Sequence, residues 1–193
     1  MKAIIDELKL FVHEKGYTQD DKRLNRKVKA FPGHIYAMGS EMFDVLKKEK
    51  PIDKYTDDWK RMYPTFRLAV KTALEDKDSR RLVVLNDSRY SKVFQCFTHL
   101  HFMMTGRGDY DMYVYLRSSD LDKFKDDCVF FASIAKKFEN QVKIPVTKLV
   151  IMFGSLHYTL DPELATSPAE LSKASEVPPA PSNESFQDGE IKD

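Results

Sequence analysis

The middle of the chain alternates between apolar and polar positions with the period of two that is typical of a β-strand. In residues 93–104, one face is shared by Phe94, Cys96, Thr98, Leu100 and Phe102. Residues 105–109 contain two glycines and form a typical turn sequence, and an apolar segment over residues 110–116 follows. The pattern predicts an antiparallel hairpin over residues 93–116.

Other apolar residues recur at the spacing of helices or of buried strands. Four helices are predicted: one in residues 1–16 that ends at Gly16, a short one that Ser40 can cap, one that begins near Pro64, and one around residues 130–138. Two apolar runs predict buried strands, at residues 82–85 and at residues 148–153, where Gly154 is expected to end the strand. Together with the hairpin, these segments predict an α+β fold with a mixed β-sheet covered by helices.

The composition changes near the C-terminus. From residue 165 onward Ser, Pro, Glu, Lys and Ala dominate, and Phe186 is the sole aromatic residue. Such a segment buries too little apolar surface to offset the entropy lost on ordering. We therefore predict one folded domain over residues 1–164 and a disordered acidic tail over residues 165–193.

The charge and the cysteine content limit the classes of function. With 31 basic and 30 acidic residues the net charge is +1, which argues against a nucleic-acid partner. The two cysteines give neither a disulfide framework nor a zinc-ligand spacing, so no metal is expected. No apolar run is long enough to span a membrane and no signal peptide is evident, so we expect a cytoplasmic protein without a membrane partner.

Candidate chemistry lies at both ends of the predicted hairpin. Arg80 and Arg81 precede a strand, where two guanidinium groups can bind a phosphate with fork geometry. The alternative is a solvated turn in which one arginine pairs with Asp78. Cys96 is a nucleophile if nearby positive charge favours its thiolate, and is otherwise a small core residue.

The order of these motifs resembles that of the thymidylate synthase family, which includes the deoxypyrimidine-nucleotide hydroxymethylases. The matching features are Asp-Ser-Arg-Arg at residues 78–81, an apolar strand, Asn86, a cysteine-bearing strand and Arg-Ser-x-Asp at residues 117–120. The similarity covers about residues 55–158. It implies a thymidylate-synthase-like sheet and a homodimer, in which Arg80 and Arg81 bind the substrate phosphate of the partner subunit.

The resemblance also implies roles for individual residues. Cys96 would be the nucleophile, Arg117 would bind phosphate with Ser118 beside it, and Asp120 would contact the pyrimidine. Asp127, His157 and Tyr158 are the candidates for hydrogen bonding to the substrate.

The implied reaction is one-carbon transfer to C5 of a pyrimidine deoxynucleoside monophosphate, either dUMP or dCMP. The one-carbon donor would be 5,10-methylenetetrahydrofolate, and the product would carry a methyl or a hydroxymethyl group. The cysteine adds to C6 so that C5 becomes nucleophilic, which is covalent catalysis.

Several departures from the family pattern leave a second interpretation open. Cys96 lies between Gln95 and Phe97, where the family has Pro-Cys-His, and residues 123–128 lack the family's Gly and base-reading Asn. The early arginine-rich phosphate loop is absent. The basic residues between 22 and 29 are either a replacement for that loop or simply solvated. The alternative is therefore a non-catalytic nucleotide-binding or protein-interaction module of the same fold.

Overall fold

A mixed β-sheet forms the centre of the molecule. The computed structural model describes residues 1–21, 26–86 and 96–160, which contain β1 Tyr17–Asp21, β2 Arg26–Met38, β3 Val83–Leu85, β4 Phe97–Met104, β5 Tyr110–Leu116, β6 Ser119–Asp120 and β7 Val146–Thr159. The strand order is β1-β2-β7-β5-β4-β3, and β6 also pairs with β7. The strands β5 and β6 run parallel to β7, whereas the other pairs are antiparallel.

Helices cover one face of this sheet. They are α1 Lys2–Lys15, α2 Ser40–Leu46, α3 Thr56–Glu75 and α4 Phe124–Val142, with 3₁₀ turns at Asp53–Tyr55 and Leu121–Lys123. Phe138 of α4 stacks on Phe102 of β4, with ring centroids 3.9 Å apart and an interplanar angle of 9°. The arrangement confirms the predicted α+β fold with a mixed sheet covered by helices.

The other face of the sheet carries exposed and half-exposed apolar and aromatic side chains. Ile35 is opposite Met152, Met152 is opposite Tyr115, and Tyr115 shares its face with Tyr113. Ile35 is 66% exposed and Met103, on the same face, is 41% exposed. None of the helices in the described ranges packs on the exposed Ile35 side chain.

The long strands β2 and β7 change their alternation at two glycines. Their antiparallel register pairs Pro32 with Ser155 and His34 with Phe153, and Gly33 and Gly154 lie between these two pairs. Phe31 and His34 both lie with ring centroids 4.8 Å from Phe11 of α1, although they are three residues apart. The alternation therefore reverses at Gly33, whose φ of +64° suits glycine.

The prediction that a strand ends at Gly154 is wrong, because β7 continues to Thr159. The glycine instead allows a close approach of two backbones: a Cβ atom at this position would lie 2.6 Å from the carbonyl oxygen of Arg117. Glycine within a strand often marks such an approach. Gly154 therefore determines how near β7 can come to the segment that follows β5.

Replacing Gly154 by alanine should destabilise the protein by roughly 1–3 kcal/mol, because two backbone segments must move apart. Urea unfolding measures the loss. Gly106→Ala is the matched control, since a Cβ atom at Gly106 meets nothing within 4 Å. Equal midpoints for the two variants would show that the close approach does not matter.

The described residues form one compact unit that ends at Leu160. The predicted domain boundary at residue 164 and the predicted tail over residues 165–193 lie outside the described residues and stay predictions. No helix in the described part of the chain is long and apolar enough to cross a membrane.

Candidate active site

A cleft of about 880 Å³ opens where β1, β2, the end of β5 and the start of α4 meet. This volume is in the range of small-molecule sites in proteins. Six of the nine residues predicted for the site line the cleft: Cys96, Arg117, Ser118, Asp120, Asp127 and His157. The structure thus brings together residues from four separate segments of the chain.

Cys96 is exposed and lies directly before β4. The backbone N–H of Arg117 donates to the carbonyl of Cys96 over 2.7 Å, so the two motifs are joined at the cleft wall. Both residues line the cleft. The cysteine and the arginine of the Arg-Ser-x-Asp motif are therefore neighbours in space.

The predicted alternation of β4 is wrong at its start. The pairing with β5 shifts register between Phe97 and His99. Phe97 is consequently buried, with its ring centroid 5.1 Å from that of Phe131 in α4. An extra residue in one strand reverses the alternation beyond it. The sequence pattern predicts that Cys96 and Thr98 share the buried face of Leu100 and Phe102. In the structure they do not.

Ser118 and His157 form a polar contact in the cleft wall. Ser118 Oγ lies 3.3 Å from His157 Nδ1. Burial lowers the pKa of His157 below its usual value, so the imidazole is neutral at pH 7. A neutral imidazole offers one donor and one acceptor. His157 can therefore accept or donate a hydrogen bond with a polar ligand.

Arg26 adds a second guanidinium group to the cleft. It begins β2, and one of its terminal nitrogens lies 3.2 Å from Asp120 Oδ2. Its Nε is 3.6 Å from Asp21 Oδ2, and it also donates to the hydroxyl of Thr159. The sequence predicts that the basic residues between 22 and 29 either replace the phosphate loop or are simply solvated. Arg26 is not simply solvated, because it lines the cleft and pairs with carboxylates. Lys22 and Arg23 lie outside the described residues.

Asp127 and Tyr55 form a hydrogen-bonded pair that lines the cleft. The hydroxyl of Tyr55 donates to Asp127 Oδ1, and the ring of Tyr55 stacks on Phe130 at 4.5 Å with an interplanar angle of 8°. Burial raises the pKa of Asp127 to about 6, although the hydrogen bond from Tyr55 and the charge of Lys54 oppose this shift. Asp127 is therefore a carboxyl group that gains or loses its proton near neutral pH.

The raised pKa of Asp127 predicts a pH dependence of stability. The folded state holds this proton more tightly than the unfolded state, so the resulting stabilisation is lost as pH rises from about 4 to 6. Between pH 4 and pH 7, the free energy of unfolding of the wild-type protein should fall by roughly 2 kcal/mol relative to Asp127→Asn. Urea titrations at the two pH values measure this difference.

Asp126→Asn serves as the control for this experiment, because Asp126 is the neighbouring carboxyl with a side chain 40% exposed. It should keep most of the wild-type dependence on pH, because burial is the main cause of the raised pKa of Asp127 and the charge of Asp126 is a lesser one. If Asp127→Asn and the wild-type protein gave parallel curves, Asp127 would not be the group that titrates.

The other three predicted residues do not line the cleft of their own chain. Arg80 and Arg81 lie in the turn before β3, where Arg81 is exposed and the carbonyl of Arg80 lies 3.0 Å from His101 Nε2. Tyr158 follows His157 in β7 and faces the opposite side, with its hydroxyl 3.0 Å from His13 Nδ1 in α1. Because the side chain of Tyr158 contacts α1, its position does not favour a contact with a ligand in the cleft.

The described residues contain no group of three or more His, Cys, Asp or Glu side chains that could hold a metal ion.

Comparisons with known proteins find a similarity in structure but none in sequence. No protein-family model matches the sequence, and no curated protein matches it. Among solved structures, the chain is similar to thymidylate synthase from T4 phage, with a TM-score of 0.63 and 13% sequence identity. The match covers 84% of this chain and 78% of that one. At this identity the similarity shows the fold alone, and it confirms the predicted thymidylate-synthase-like fold.

Proposed function

We propose that this protein transfers a one-carbon unit to C5 of a pyrimidine deoxynucleoside monophosphate, dUMP or dCMP, with Cys96 as the nucleophile. The observation that carries the proposal is the joining of Cys96 to Arg117 in one cleft, by a backbone hydrogen bond of 2.7 Å. A thymidylate-synthase-like fold supports the same reaction class. Fold alone does not define a function, so the proposal depends on the residues of the cleft.

The chemistry begins with addition of the Cys96 thiolate to C6 of the pyrimidine. The new S–C6 bond takes its electrons from sulfur, and the electrons of the C5–C6 double bond move toward C5 and the C4 substituent. C5 would then attack the one-carbon unit of the donor, and the bond from that carbon to the folate amine would break. Loss of the C5 proton, addition of hydride from the folate or of water to the one-carbon unit, and expulsion of the thiolate would then restore the C5–C6 double bond. The reaction requires the thiolate form of the cysteine, because the thiolate is the nucleophile.

Two guanidinium groups are available for the phosphate of the substrate. Arg117 and Arg26 both line the cleft, together with Lys54 and Lys123. An arginine binds a phosphate through two parallel N–H···O bonds. Because Arg26 is held by Asp21 and Asp120, a phosphate must compete with these carboxylates for it. We therefore assign the primary phosphate contact to Arg117.

Hydrogen bonds to the base would come from Asp127 and His157. The carboxyl of Asp127 and the imidazole of His157 both line the cleft. A protonated Asp127 can donate to a ring nitrogen or to a carbonyl oxygen, and an ionised Asp127 can accept from an amino group. These hydrogen bonds would stabilise the charge that develops on the base after the thiolate adds. Ser118 lies beside His157 and Asp120 pairs with Arg26, and because both line the cleft we assign them to substrate binding as well.

The one-carbon donor would be 5,10-methylenetetrahydrofolate. Of the aromatic residues that line the cleft, Tyr55 has a half-buried ring on which a flat pteridine can pack, whereas Phe130 and Phe131 are buried. When bound, this donor would supply the one-carbon unit. The product is methyl if hydride reaches that carbon and hydroxymethyl if water does.

We further propose that the protein is a homodimer that uses the open face of the sheet. Ile35 is 66% exposed there, and the carbonyl of Arg80 contacts His101 at the margin of this face. A second copy on this surface would cover the exposed apolar residues and would lie beside Arg80 and Arg81. These two arginines would then contact the phosphate in the partner's cleft. Light scattering that shows a monomer at micromolar concentration would contradict the dimer.

The proposed reaction is tested by incubating the protein with dUMP or dCMP, with and without 5,10-methylenetetrahydrofolate, and analysing the nucleotides by mass spectrometry. We expect a methylated or hydroxymethylated product from one of the two nucleotides, and only with the folate present. The same nucleotides recovered unchanged from every reaction would contradict the proposal.

A second candidate function is nucleotide binding without catalysis. The observation that favours it is Phe97, which is buried against Phe131 at the position after the cysteine, so no side chain there can activate the thiol. In that case calorimetry would show binding of dUMP or dCMP while the reaction mixtures yielded no product.

A further inference from the structure

A buried polar cluster lies beside the cleft, behind the start of β4. Its centre is Asn86, which follows β3 and is only 6% exposed. A buried amide is costly unless its donors and its acceptor are satisfied. Here both ends of the amide have partners: Oδ1 accepts from Arg61 Nε at 3.1 Å, and Nδ2 donates to Asp58 Oδ1 at 2.9 Å.

The two partners of Asn86 are also bound to each other. Arg61 and Asp58 lie one turn apart on α3, and Arg61 donates to Asp58 Oδ1 over 2.7 Å. Their side chains are each 19% exposed. The three residues form a closed triangle of hydrogen bonds, so the orientation of the Asn86 amide is fixed by α3.

The fixed amide binds the backbone directly after Cys96. Asn86 Nδ2 lies 3.3 Å from the carbonyl oxygen of Phe97, and the backbone N–H of Asn86 donates to the carbonyl of Thr98 over 2.9 Å. The carbonyl of Cys96 itself accepts from the N–H of Arg117. Three consecutive carbonyls, beginning at the cysteine, are therefore held by donors from two other segments.

The site of these contacts is the irregular part of β4. The ladder with β5 shifts register between Phe97 and His99, so backbone groups there lose regular partners from the neighbouring strand. A buried carbonyl requires another donor. The side-chain amide of Asn86 supplies one at Phe97, and it does so at the residue next to the exposed thiol.

We propose that Asn86, oriented by Arg61 and Asp58, is a positioning residue that fixes the backbone at Phe97 and thereby holds the Cys96 thiol in the cleft. This inference rests on the proposed function in taking Cys96 as the nucleophile. Asn86 does not line the cleft, and it acts through the main chain of the cysteine segment.

The test uses a nitroxide spin label attached to Cys96 in the full chain, because the label reports the mobility of this position without any substrate. Cys128 is buried and should not react, and mass spectrometry of the labelled protein is the check that Cys96 alone carries the label. In Asn86→Ala, the rotational correlation time of the label should be about twofold shorter than in the wild-type protein. Asn140→Ala, at an exposed position of α4, is the matched control and should leave the spectrum unchanged.

Arg61→Lys is the second variant, and it tests the cluster even where Asn86→Ala fails to fold. A lysine can keep the ion pair with Asp58 but lacks the Nε donor to Asn86, so a smaller change in the same direction is expected. The positioning role would be wrong if both variants kept the wild-type circular dichroism and also gave the wild-type label spectrum. Where Asn86→Ala does not fold, the same result for Arg61→Lys alone would contradict it. Because the label needs no turnover, this result is separate from a failure of the proposed reaction.

Kinetics give a readout that a purely structural role would not change. Misplacement of a nucleophile lowers the rate of the chemical step, so kcat in Asn86→Ala should fall on the order of 10-fold to 100-fold. The KM for the nucleotide should change little, because Arg117 and Arg26 remain in place. A KM that rises with kcat unchanged would contradict the positioning role.

Discussion

Replacing Cys96 by serine is expected to lower turnover of the pyrimidine nucleotide by at least about 10⁴-fold, since the covalent pathway supplies most of the rate enhancement. Serine has nearly the same shape, but its hydroxyl does not ionise near neutral pH and cannot add to C6 at a useful rate. Product formation at saturating nucleotide and folate, followed by mass spectrometry, measures the loss.

Cys128 provides the control for this substitution. It is fully buried in α4, and burial raises the pKa of its thiol well above the usual value, so this thiol is neutral and out of reach of a substrate. Cys128→Ala should therefore keep most of the turnover. If Cys96→Ser retained activity while Cys128→Ala lost it, Cys96 would not be the nucleophile.

Substitution of Arg117 by alanine should weaken binding of dUMP or dCMP by roughly 10-fold to 100-fold, because a charge-assisted hydrogen bond contributes about 1.5–3 kcal/mol. The backbone N–H that binds the Cys96 carbonyl is retained in this variant, so the cysteine segment should keep its position. Isothermal titration calorimetry with each nucleotide gives the affinities.

The corresponding nucleosides distinguish a phosphate contact from a general disturbance of the cleft. Deoxyuridine and deoxycytidine lack the phosphate, so their weak binding should be the same in the wild-type protein and in Arg117→Ala. Arg67→Ala, at an exposed position of α3, should bind nucleotides as the wild-type protein does. Equal losses for nucleotide and nucleoside would argue against a phosphate contact.

The elements with regular patterns could be predicted from the sequence. The strand β5 and the apolar residues of α4 lie where the alternation and the helical spacing place them. The predicted helix start at Pro64 is wrong, because α3 begins at Thr56 and contains the proline. Pro64 is exposed, so water can bond the backbone carbonyl that lacks a helical partner.

Irregularities within strands could not be predicted in the same way. A shift of one residue in β4 and a reversal at Gly33 leave the composition of each strand typical, while they change which side chains share a face. The face that each side chain takes beyond such an irregularity depends on the pairing with the neighbouring strand. The close approach of Gly154 to Arg117 is likewise a contact between distant segments.

The same distinction holds for the candidate site. Cys96, Arg117 and Ser118 could be proposed because they belong to a local motif with a characteristic spacing. The pairing of Tyr55 with Asp127 joins residues 72 positions apart, and that of Arg26 with Asp120 joins residues 94 positions apart. A charged residue that pairs with a distant partner has no local signal in a single sequence. The sequence around it is equally consistent with a solvated side chain.

The most direct test of the central claim is the intact mass of the protein after incubation with 5-fluoro-dUMP or 5-fluoro-dCMP and 5,10-methylenetetrahydrofolate. Fluorine at C5 cannot leave as a proton does, so the species bonded to the cysteine accumulates instead of completing the reaction. We predict that one analogue adds its own mass together with that of the folate, on the peptide that contains Cys96, and that Cys96→Ser adds nothing. A wild-type protein whose mass stays unchanged with both analogues would contradict covalent catalysis by this cleft.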